Sequence, residues 1–500
     1  MKSLATTIDA KLAEQIPIHQ VMHDVDAHYV DPVALLSIVL PTLHFPHNEL
    51  IRVVLSGDGR KSGKNYGVIL TLKIMGDGGE EKVYPIAIGR GTENYDNIKL
   101  LLGKLHQPLL ALKKHVFLIR SQSVKCQLTF ASDAKFLLTC LGLCAAMGKY
   151  SCPFYCIPNT HWTAVYLGLL NANDFRRTRF NDLSLCLSNC PGHKTCGKAK
   201  HGVKNENLLE GLFTFEDILL DELHLFLRLW NLVLDILLGY VEAYNREFLL
   251  EKVAKIFGVT FHILDGEDEG GYQLWTPLTG DKALLLLDGL VKRRDLMRLL
   301  FLVDEESIHI PEDESMKEKE EGHEIQFQRI YSLFESLSQI IHYLRDDCTT
   351  LSCFAKFQEC IQKFFLVLTA GWGSVIGKVW YLHQLYCHIP TLLTRWGGSI
   401  YFASCSSQER LNGKHTSLLL SCFQKQNSSL QLFTRARREL YFEQNSELKT
   451  PHKQVTRKKK TKEEKLIGSK TKLSLNEKKR EETDKPKKKK ERRTRIALIQ

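Results

Sequence analysis

The segment VVLSGDGRKSGKNYGVILTLKIMG, Val53 to Gly76, contains two runs of β-branched and apolar residues on either side of a polar loop. Such runs, bounded by glycine and polar residues, are typical of paired strands. Asp58 lies where the first strand is expected to end, with a glycine on each side. Asp-Gly is also the commonest hairpin signal, so Asp58 has two interpretations: a turn residue, or a functional acid held at a rigid strand end.

The strand pattern extends on both sides of this segment. The runs IRVVLSG, GVILTLKIM and KVYPIAIGR predict three antiparallel strands, and NYDNIKLLLGKLHQPLLALKKH has the apolar spacing of an amphipathic helix. KCQLTFAS predicts a fourth strand, which is followed by Asp133 and the helical pattern AKFLLTCLGLCAAMG. The order is β-β-β-α-β, with one aspartate at the end of the first strand and another just past the fourth, and it resembles that of the RNase H-like fold.

The composition indicates several folded regions and a separate basic tail. A chain of 500 residues that is 44% hydrophobic can bury two to four cores, which excludes one small domain. Residues 451–500 contain 20 Lys and Arg against 7 Asp and Glu, a net charge of +13, whereas the net charge of the whole chain is only +11. The tail has almost no large apolar residues, so we expect it to be disordered, either as a nuclear-localisation or phosphate-binding segment or as a solubilising appendage.

The cysteine usage favours an intracellular, reducing compartment. The sequence has 14 cysteines, and its first residues, MKSLATTIDAKLAEQ, are of mixed polarity. Two apolar stretches resemble membrane spans, but one carries Arg228 and Asp235 and the other carries Lys378 and three glycines. We interpret both as buried helices and expect no membrane partner.

Cysteines and histidines cluster after residue 150. Cys152 and Cys156 in SCPFYCIP are followed by a second group in LCLSNCPGHKTCGKAKHG. Thiolate and imidazole pairs at this separation suit a structural Zn²⁺, and we predict Cys152, Cys156, Cys196 and His201 as its ligands. Unliganded buried thiols are the alternative.

Six ordered segments resemble motifs of a group of uncharacterised, multicopy, transposon-derived proteins with an RNase H-like (DDE transposase) core. The segments extend over about Val53 to Asn427 and are LSGDGRK, IGRGTENYDNIKLLL (resembling nGsEsY..L), SDAKFLLTCLGLCAAMGKYSCPFYC, LLDELHLFLRL (lDeLHLlLRv), YLHQLYCHIP (YmHilvyHIP) and SSQERLN (gqgvEknN). This sequence departs from the family pattern at several places, including Cys-x3-Cys for Cys-x2-Cys and CSSQE before the last acid. These departures favour a decayed or domesticated copy.

The resemblance implies that Asp58, Asp133 and Glu409 bind catalytic Mg²⁺ or Mn²⁺. The residues alone leave alternatives open: Asp133 also suits a helix N-cap, and Glu409 also suits a solvated position. Asp221 and Glu222 are alternative third acids.

Three histidines fall in matched motifs, His224, His383 and His388. A hydrogen-bonded core histidine is the alternative for each of them. Lys61 and Lys64, in the loop after Asp58, are candidates for contacts with the nucleic-acid backbone.

These features predict an α/β protein with an RNase H-like mixed sheet, flanking helices, and a zinc-knuckle-like and helical insertion. The predicted regions are an N-terminal segment 1–50, a first core part 51–150, a Cys/His-rich zinc-binding insertion 151–215, a helical insertion 216–395 with an acidic linker at 304–324, a core helix region 396–450 carrying the third acid, and a disordered basic tail 451–500.

The predicted function is metal-dependent cleavage and strand transfer of DNA by a nuclear, transposase-like protein that acts as a homo-oligomer and needs no small-molecule cofactor. A catalytically inactive DNA- or chromatin-binding protein is the first alternative. A host nuclease acting on RNA is the second.

Overall fold

A computed structural model gives the fold of most of the chain. Most of the described residues belong to one compact unit that ends at Arg438, and residues 439–444 are the described part of a second unit. The described residues are 2–43, 50–62, 65–76, 81–177, 202–241, 252–260, 263–267, 273–275, 278–301, 314–346, 350–376, 379–421 and 428–444.

The strands form one large mixed sheet and one small hairpin. The strands are β1 (Ile18–Met22), β2 (Val25–Val30), β3 (Leu50–Ser62), β4 (Asn65–Met75), β5 (Glu81–Arg90), β6 (Val116–Ile119), β7 (Gln122–Ser132), β8 (Ile218–Leu220), β9 (Ile263–Glu267) and β10 (Gln273–Trp275). The large sheet has eight strands in the order β1-β2-β5-β4-β3-β7-β6, with β8 also paired to β7, and β9 pairs with β10.

The helices lie at both ends of the described part of the chain and make up most of the described region after β8. They are α1 (Lys2–Gln15), α2 (Pro32–Val39), α3 (Tyr95–Lys114), α4 (Ala134–Cys140), α5 (Trp162–Tyr166), α6 (Glu222–Tyr240), α7 (Ala254–Ile256), α8 (Gly280–Lys292), α9 (Arg294–Leu299), α10 (Glu314–Arg345), α11 (Leu351–Ile376), α12 (Trp380–Cys387), α13 (Ile389–Trp396), α14 (Ser406–Ser421) and α15 (Ser428–Gln444).

The centre of the sheet changes from antiparallel to parallel pairing at β3. β3 pairs with β4, and β4 with β5, in the antiparallel sense predicted from the sequence. On its other side β3 runs parallel to β7, and β7 runs parallel to β8. Val53, Val54 and Leu55 are buried consecutively, because a central strand in a sheet covered on both faces has no solvent side.

Gly57 is required by the packing of α4 against β3. A Cβ atom at Gly57 would lie 2.1 Å from the ring of Phe136 and 2.9 Å from Leu70. Ser132 Oγ donates a 2.5 Å hydrogen bond to the Gly57 carbonyl, which ties the end of β7 to β3. The helix after β7 can therefore lie directly on the backbone next to Asp58.

Helices after β8 form a layer with an apolar interior. α6 is capped by Asp221 and buries most of its side chains, and it packs on α8, α10 and α12. It is also the one described helix long and apolar enough to cross a membrane by length and composition, but 61% of that stretch is buried within the protein. The apolar residues of α6 are accounted for by these helix contacts.

The N-terminal strands extend the sheet beyond the predicted core, and the last helix is attached to them. β2 pairs with β5 and β1 with β2, so residues predicted only as an N-terminal segment add two strands. Asp26 on β2 accepts hydrogen bonds from the backbone N–H groups of Ser428 and Ser429, at the start of α15. Because this carboxylate satisfies otherwise unpaired N–H groups, it fixes α15 on the sheet.

Other boundaries also differ from the prediction. β8 lies inside the region predicted as a helical insertion, although it belongs to the main sheet. α4 ends at Cys140, and α10 begins at Glu314, within the predicted linker, where the sequence is rich in helix-forming Glu and Lys. The predicted disordered tail, 451–500, lies outside the described residues.

We expect Gly57→Ala to destabilise the protein by about 1–3 kcal/mol, because the new methyl group would overpack the contact with Phe136. Gly103→Ala is the control. Gly103 lies within α3 with nothing within 4 Å of its Cβ position, so alanine should stabilise the helix by up to about 1 kcal/mol. Urea unfolding of both variants measures the two effects, and equal stabilities would contradict the packing assignment.

Candidate functional site

Three aspartates form a row at one end of the parallel strands. Leu55 of β3 pairs with Phe130 of β7, and Phe130 pairs with Ile218 of β8. Asp58, Asp133 and Asp221 each lie three residues beyond one of these paired residues. Because parallel strands advance in step, the pairing brings the three acids to the same edge of the sheet.

Asp58 is half-buried and is held from the C-terminal part of the chain. Asn412 on α14 is buried, and its Nδ2 donates a 2.7 Å hydrogen bond to Asp58 Oδ2. α14 packs across β3, β4 and β5, which places the SSQERLN segment over the first aspartate. Asp58 is therefore not simply a turn residue, since β3 continues through it to Ser62.

Asp133 caps α4 and faces the other acids. Its Oδ1 accepts a 2.7 Å hydrogen bond from the Phe136 N–H, as the N-cap interpretation predicts. Burial raises the pKa of Asp133, and the charges of Asp58 and Asp221 raise it further, against the effects of that hydrogen bond and of His224. The N-cap role and membership in the acid row are thus compatible.

Asp221 is buried and its carboxylate is fully engaged. Oδ1 accepts hydrogen bonds from the N–H groups of Leu223, at 3.1 Å, and Cys405, at 2.8 Å, while Oδ2 contacts His224 Nδ1. Burial disfavours both charged forms, but the pair interaction outweighs it, lowering the pKa of Asp221 and raising that of His224. Asp133 also raises the pKa of His224, so the protonated imidazole is favoured beside the acid row.

The other two candidates for a third acid have different environments. Glu222 is fully buried within the helical layer, and its Oε1 forms a 2.8 Å ion pair with Arg345 Nε. Glu409 lies on the first turn of α14, between Cys405, which binds Asp221, and Asn412, which binds Asp58. Glu409 is therefore carried on the helix segment that spans two members of the row.

Glu93 is a further carboxylate beside the row. It lies in the turn between β5 and α3, and a Cβ at Gly59 would be 2.2 Å from Glu93 Cβ. Glu93 Oε2 forms a 2.7 Å ion pair with Lys135 Nζ. Burial raises the pKa of Glu93 to about 7, and the charges of Asp133 and Asp58 contribute, against the effect of Lys135.

The acids are neighbours without being closely clustered. No three carboxylates in the described ranges have oxygen atoms all within 4.8 Å of one another.

A second cluster consists of three buried residues that could hold a metal ion. Cys152, His383 and His388 have ligand atoms within 4.8 Å of one another. Cys152 Sγ lies 3.2 Å from His388 Nε2, which lies 3.4 Å from His383 Nε2. Tetrahedral zinc, with N and S ligands at about 2.0–2.3 Å, holds its ligand atoms about 3.3–3.6 Å apart, so these spacings fit such a metal.

The protonation of this cluster also suits a metal. Burial lowers the pKa of His383 to about 3 and that of His388 well below its usual value, so both imidazoles are neutral and can ligate. His383 Nδ1 is 3.5 Å from Cys387 Sγ, which leaves Nε2 directed toward the cluster. Burial raises the pKa of Cys152 to about 12, so a metal must displace the thiol proton.

Helix α12 connects the two clusters. It carries His383, and its Trp380 Nε1 donates a 3.2 Å hydrogen bond to the carbonyl of Ser151, next to Cys152. Tyr381 on the same helix is near the acid row, because Asp133 and Asp221 contribute to raising its pKa, after burial. A small cavity beside the acid row is lined in part by Asp221 and by Tyr381 and Gln384 of α12.

Several predicted site residues lie elsewhere. Cys156 is outside the three-residue cluster, and its N–H donates to the Phe175 carbonyl. Cys196, His201 and Lys64 lie outside the described residues, and Lys61 lies within β3. Of the four predicted zinc ligands, Cys152 therefore belongs to the cluster, where it lies beside His383 and His388.

Sequence reasoning missed Glu93 and Asn412 as site residues. Both occur in quoted segments: Glu93 aligns with the glutamate of nGsEsY, and Asn412 with the last asparagine of gqgvEknN. That alignment is the signal that could have identified them.

The comparisons with known proteins found no matching family model and no matching curated protein.

We expect Glu93→Gln to change the pH dependence of stability in the absence of metal. The pKa of about 7 in the folded protein exceeds that of an unfolded glutamate, so its contribution is fully present below about pH 4.5 and is lost as the pH rises through 7. The variant should therefore gain thermal stability relative to wild type at pH 8 but not at pH 5. Calorimetric melting in EDTA at both pH values measures this, and an equal shift at both would refute the assignment.

Proposed function

We propose that this protein is a transposon-derived, DDE-type transposase-like enzyme with an RNase H-like core that cleaves DNA phosphodiester bonds and transfers strands. The observation that carries the proposal is the aspartate row, crossed by α14. In chain order β3, β4, β5, α3, β6 and β7 follow one another, and β7 runs parallel to β3. Apart from the short β6, which pairs with β7, this order supports the proposed β-β-β-α-β core.

Asp58, Asp133 and Glu409 are the proposed ligands of Mg²⁺ or Mn²⁺. Glu409 is preferred to Asp221, since both Asp221 oxygens are engaged, and to Glu222, since Arg345 neutralises it in the helical layer. Carboxylate oxygens are the ligands these hard cations prefer.

The chain's own residues then have defined roles. Bound divalent cations would activate a water or 3′-hydroxyl nucleophile and stabilise the leaving oxygen. Asn412 orients Asp58, and Asp221 holds both the start of α14 and His224. Cationic His224, facing Asp133, is suited to contact a scissile phosphate.

A structural Zn²⁺ held by Cys152, His383 and His388 is part of the proposal. The three ligands come from a loop after α4, from the middle of α12 and from the residue that follows α12, so the ion would tie that helix to the loop. DNA as partner, action as a homo-oligomer, nuclear location and a DNA-contacting role for the basic tail complete the proposal.

A catalytically inactive DNA-binding protein is the second candidate. The observation that favours it is the use of each aspartate in protein hydrogen bonds: Asp58 with Asn412, Asp133 with Phe136, and Asp221 with three partners. Those bonds alone would give each acid a structural role. Salt-sensitive DNA binding that persists in EDTA, without cleavage, distinguishes this candidate.

Cleavage of DNA in Mn²⁺ or Mg²⁺ tests the proposed chemistry. We expect Asp58→Asn, Asp133→Asn and Glu409→Gln each to lower the nicking rate of supercoiled plasmid by at least about 100-fold, because each removes a charged metal ligand. Asp295→Asn and Glu206→Gln are matched controls, since both residues are exposed in surface ion pairs. Wild-type rates in the three site variants, or no nicking by the parent, would favour the second candidate.

Metal analysis tests the zinc assignment. We expect the purified protein to contain about one zinc per chain, and His388→Ala to lose it and melt at a lower temperature, because the site would then keep two of its ligands. Cys360→Ser is the control, since Cys360 lies on α11 and bonds Gln339. Equal zinc content in His388→Ala and wild type would show that the ion binds elsewhere.

A further inference from the structure

Glu93 has one carboxylate oxygen for which the protein provides no partner. Its side chain is 8% exposed, and Oε2 is paired with Lys135 at 2.7 Å. Oε1 is buried and has no hydrogen-bond partner in the part of the chain that the structure describes. A buried carboxylate oxygen without a donor is costly, so this atom calls for a ligand.

The ion pair with Lys135 does not explain why Glu93 is buried. Lys135 is 66% exposed, and an ion pair at such a position contributes little to stability. Desolvation of an ionised carboxylate costs more than such a pair returns. A second positive partner on Oε1 would offset that cost.

The backbone is arranged to admit Glu93 next to Asp58. A Cβ at Gly59 would lie 2.2 Å from Glu93 Cβ and 2.6 Å from its Oε2, so any side chain at position 59 would displace it. The turn that carries Glu93 is braced by Asn97, whose Nδ2 donates a 2.7 Å hydrogen bond to the Thr92 carbonyl. Glu93 is thus fixed in position rather than left to solvent.

The charges around Glu93 are unbalanced. Asp58 and Asp133 both act on it electrostatically, and Lys135 is the cation paired with it. When all three are ionised, the carboxylates carry −3 against the +1 of Lys135, and a divalent cation would offset that excess.

We infer that Glu93 Oε1 is a further carboxylate ligand of the divalent-cation site, beside Asp58 and Asp133, with Gly59 providing the space and Lys135 holding the other oxygen. This inference rests on the proposed function and deepens it by adding a ligand from the turn between β5 and α3. The site then draws its carboxylates from both sides of Asp58.

Mn²⁺ binding to the full-length chain, followed by the electron paramagnetic resonance signal of the free ion, tests the inference. We expect Glu93→Gln to weaken Mn²⁺ binding by at least about tenfold, since loss of even an outer partner of a metal ligand costs 10–100-fold. Gly59→Ala should weaken it similarly without altering any ligand, because the methyl group displaces Glu93.

Gly67→Ala and Glu206→Gln are the matched controls and should bind Mn²⁺ as wild type does. A Cβ at Gly67 would meet nothing closer than the Gly89 carbonyl at 3.6 Å, and Glu206 is 73% exposed. If Glu93→Gln folds and binds Mn²⁺ normally, the inference is overturned while the proposed function stands.

If Glu93→Gln does not fold, Gly59→Ala decides, and normal Mn²⁺ affinity in that variant overturns the inference. Asp58→Asn tests the proposed function separately from the role of Glu93. It should lose Mn²⁺ binding whether or not Glu93 is a ligand. If wild type itself binds no Mn²⁺, the proposed function fails and this inference fails with it.

Discussion

The parallel pairing of β3, β7 and β8 is the constraint on which the candidate site depends. Each strand delivers an aspartate at the same offset beyond a paired residue, so the row follows from backbone hydrogen bonding and not from side-chain attraction. Like charges repel, and three carboxylates would not assemble by themselves. The sheet supplies the free energy that holds them together, and its buried β-branched strands are correspondingly continuous in hydrophobicity.

The glycines on either side of Asp58 have separate steric roles. Gly57 admits the ring of Phe136 from α4, and Gly59 admits the side chain of Glu93 from the β5–α3 turn. Both contacts bring another element onto the backbone of β3 beside the carboxylate. Both glycines therefore allow other parts of the protein itself to approach β3 closely.

The two clusters share one mechanical element, helix α12. His383 on α12 and His388, the residue after that helix, belong to the Cys152 cluster, while Tyr381 lies near Asp133 and Asp221. The Asp221 carboxylate in turn accepts a hydrogen bond from the N–H of Cys405 at the start of α14, which carries Asn412 to Asp58. The Cys152 cluster and the acid row are therefore connected through packed helices.

Local pattern alone determined the strands β3, β4, β5 and β7 and the helix α3, because alternation and helical spacing are properties of neighbouring residues. It also marked Asp58 and Asp133 as acids at strand ends, which was wrong for Asp58, because β3 continues through it to Ser62 and pairs with β4 there. It did not determine β8, since the three apolar residues of a short strand look the same at the start of a buried helix. Only the tertiary structure decided two long-range contacts of the candidate site. One is between Cys152 and His388, 236 residues apart, and the other is between Asn412 and Asp58, 354 residues apart. Sequence spacing carries no information about which distant segments pack together, because the sheet order and the helix layer that bring them into contact are set by burial of the whole core.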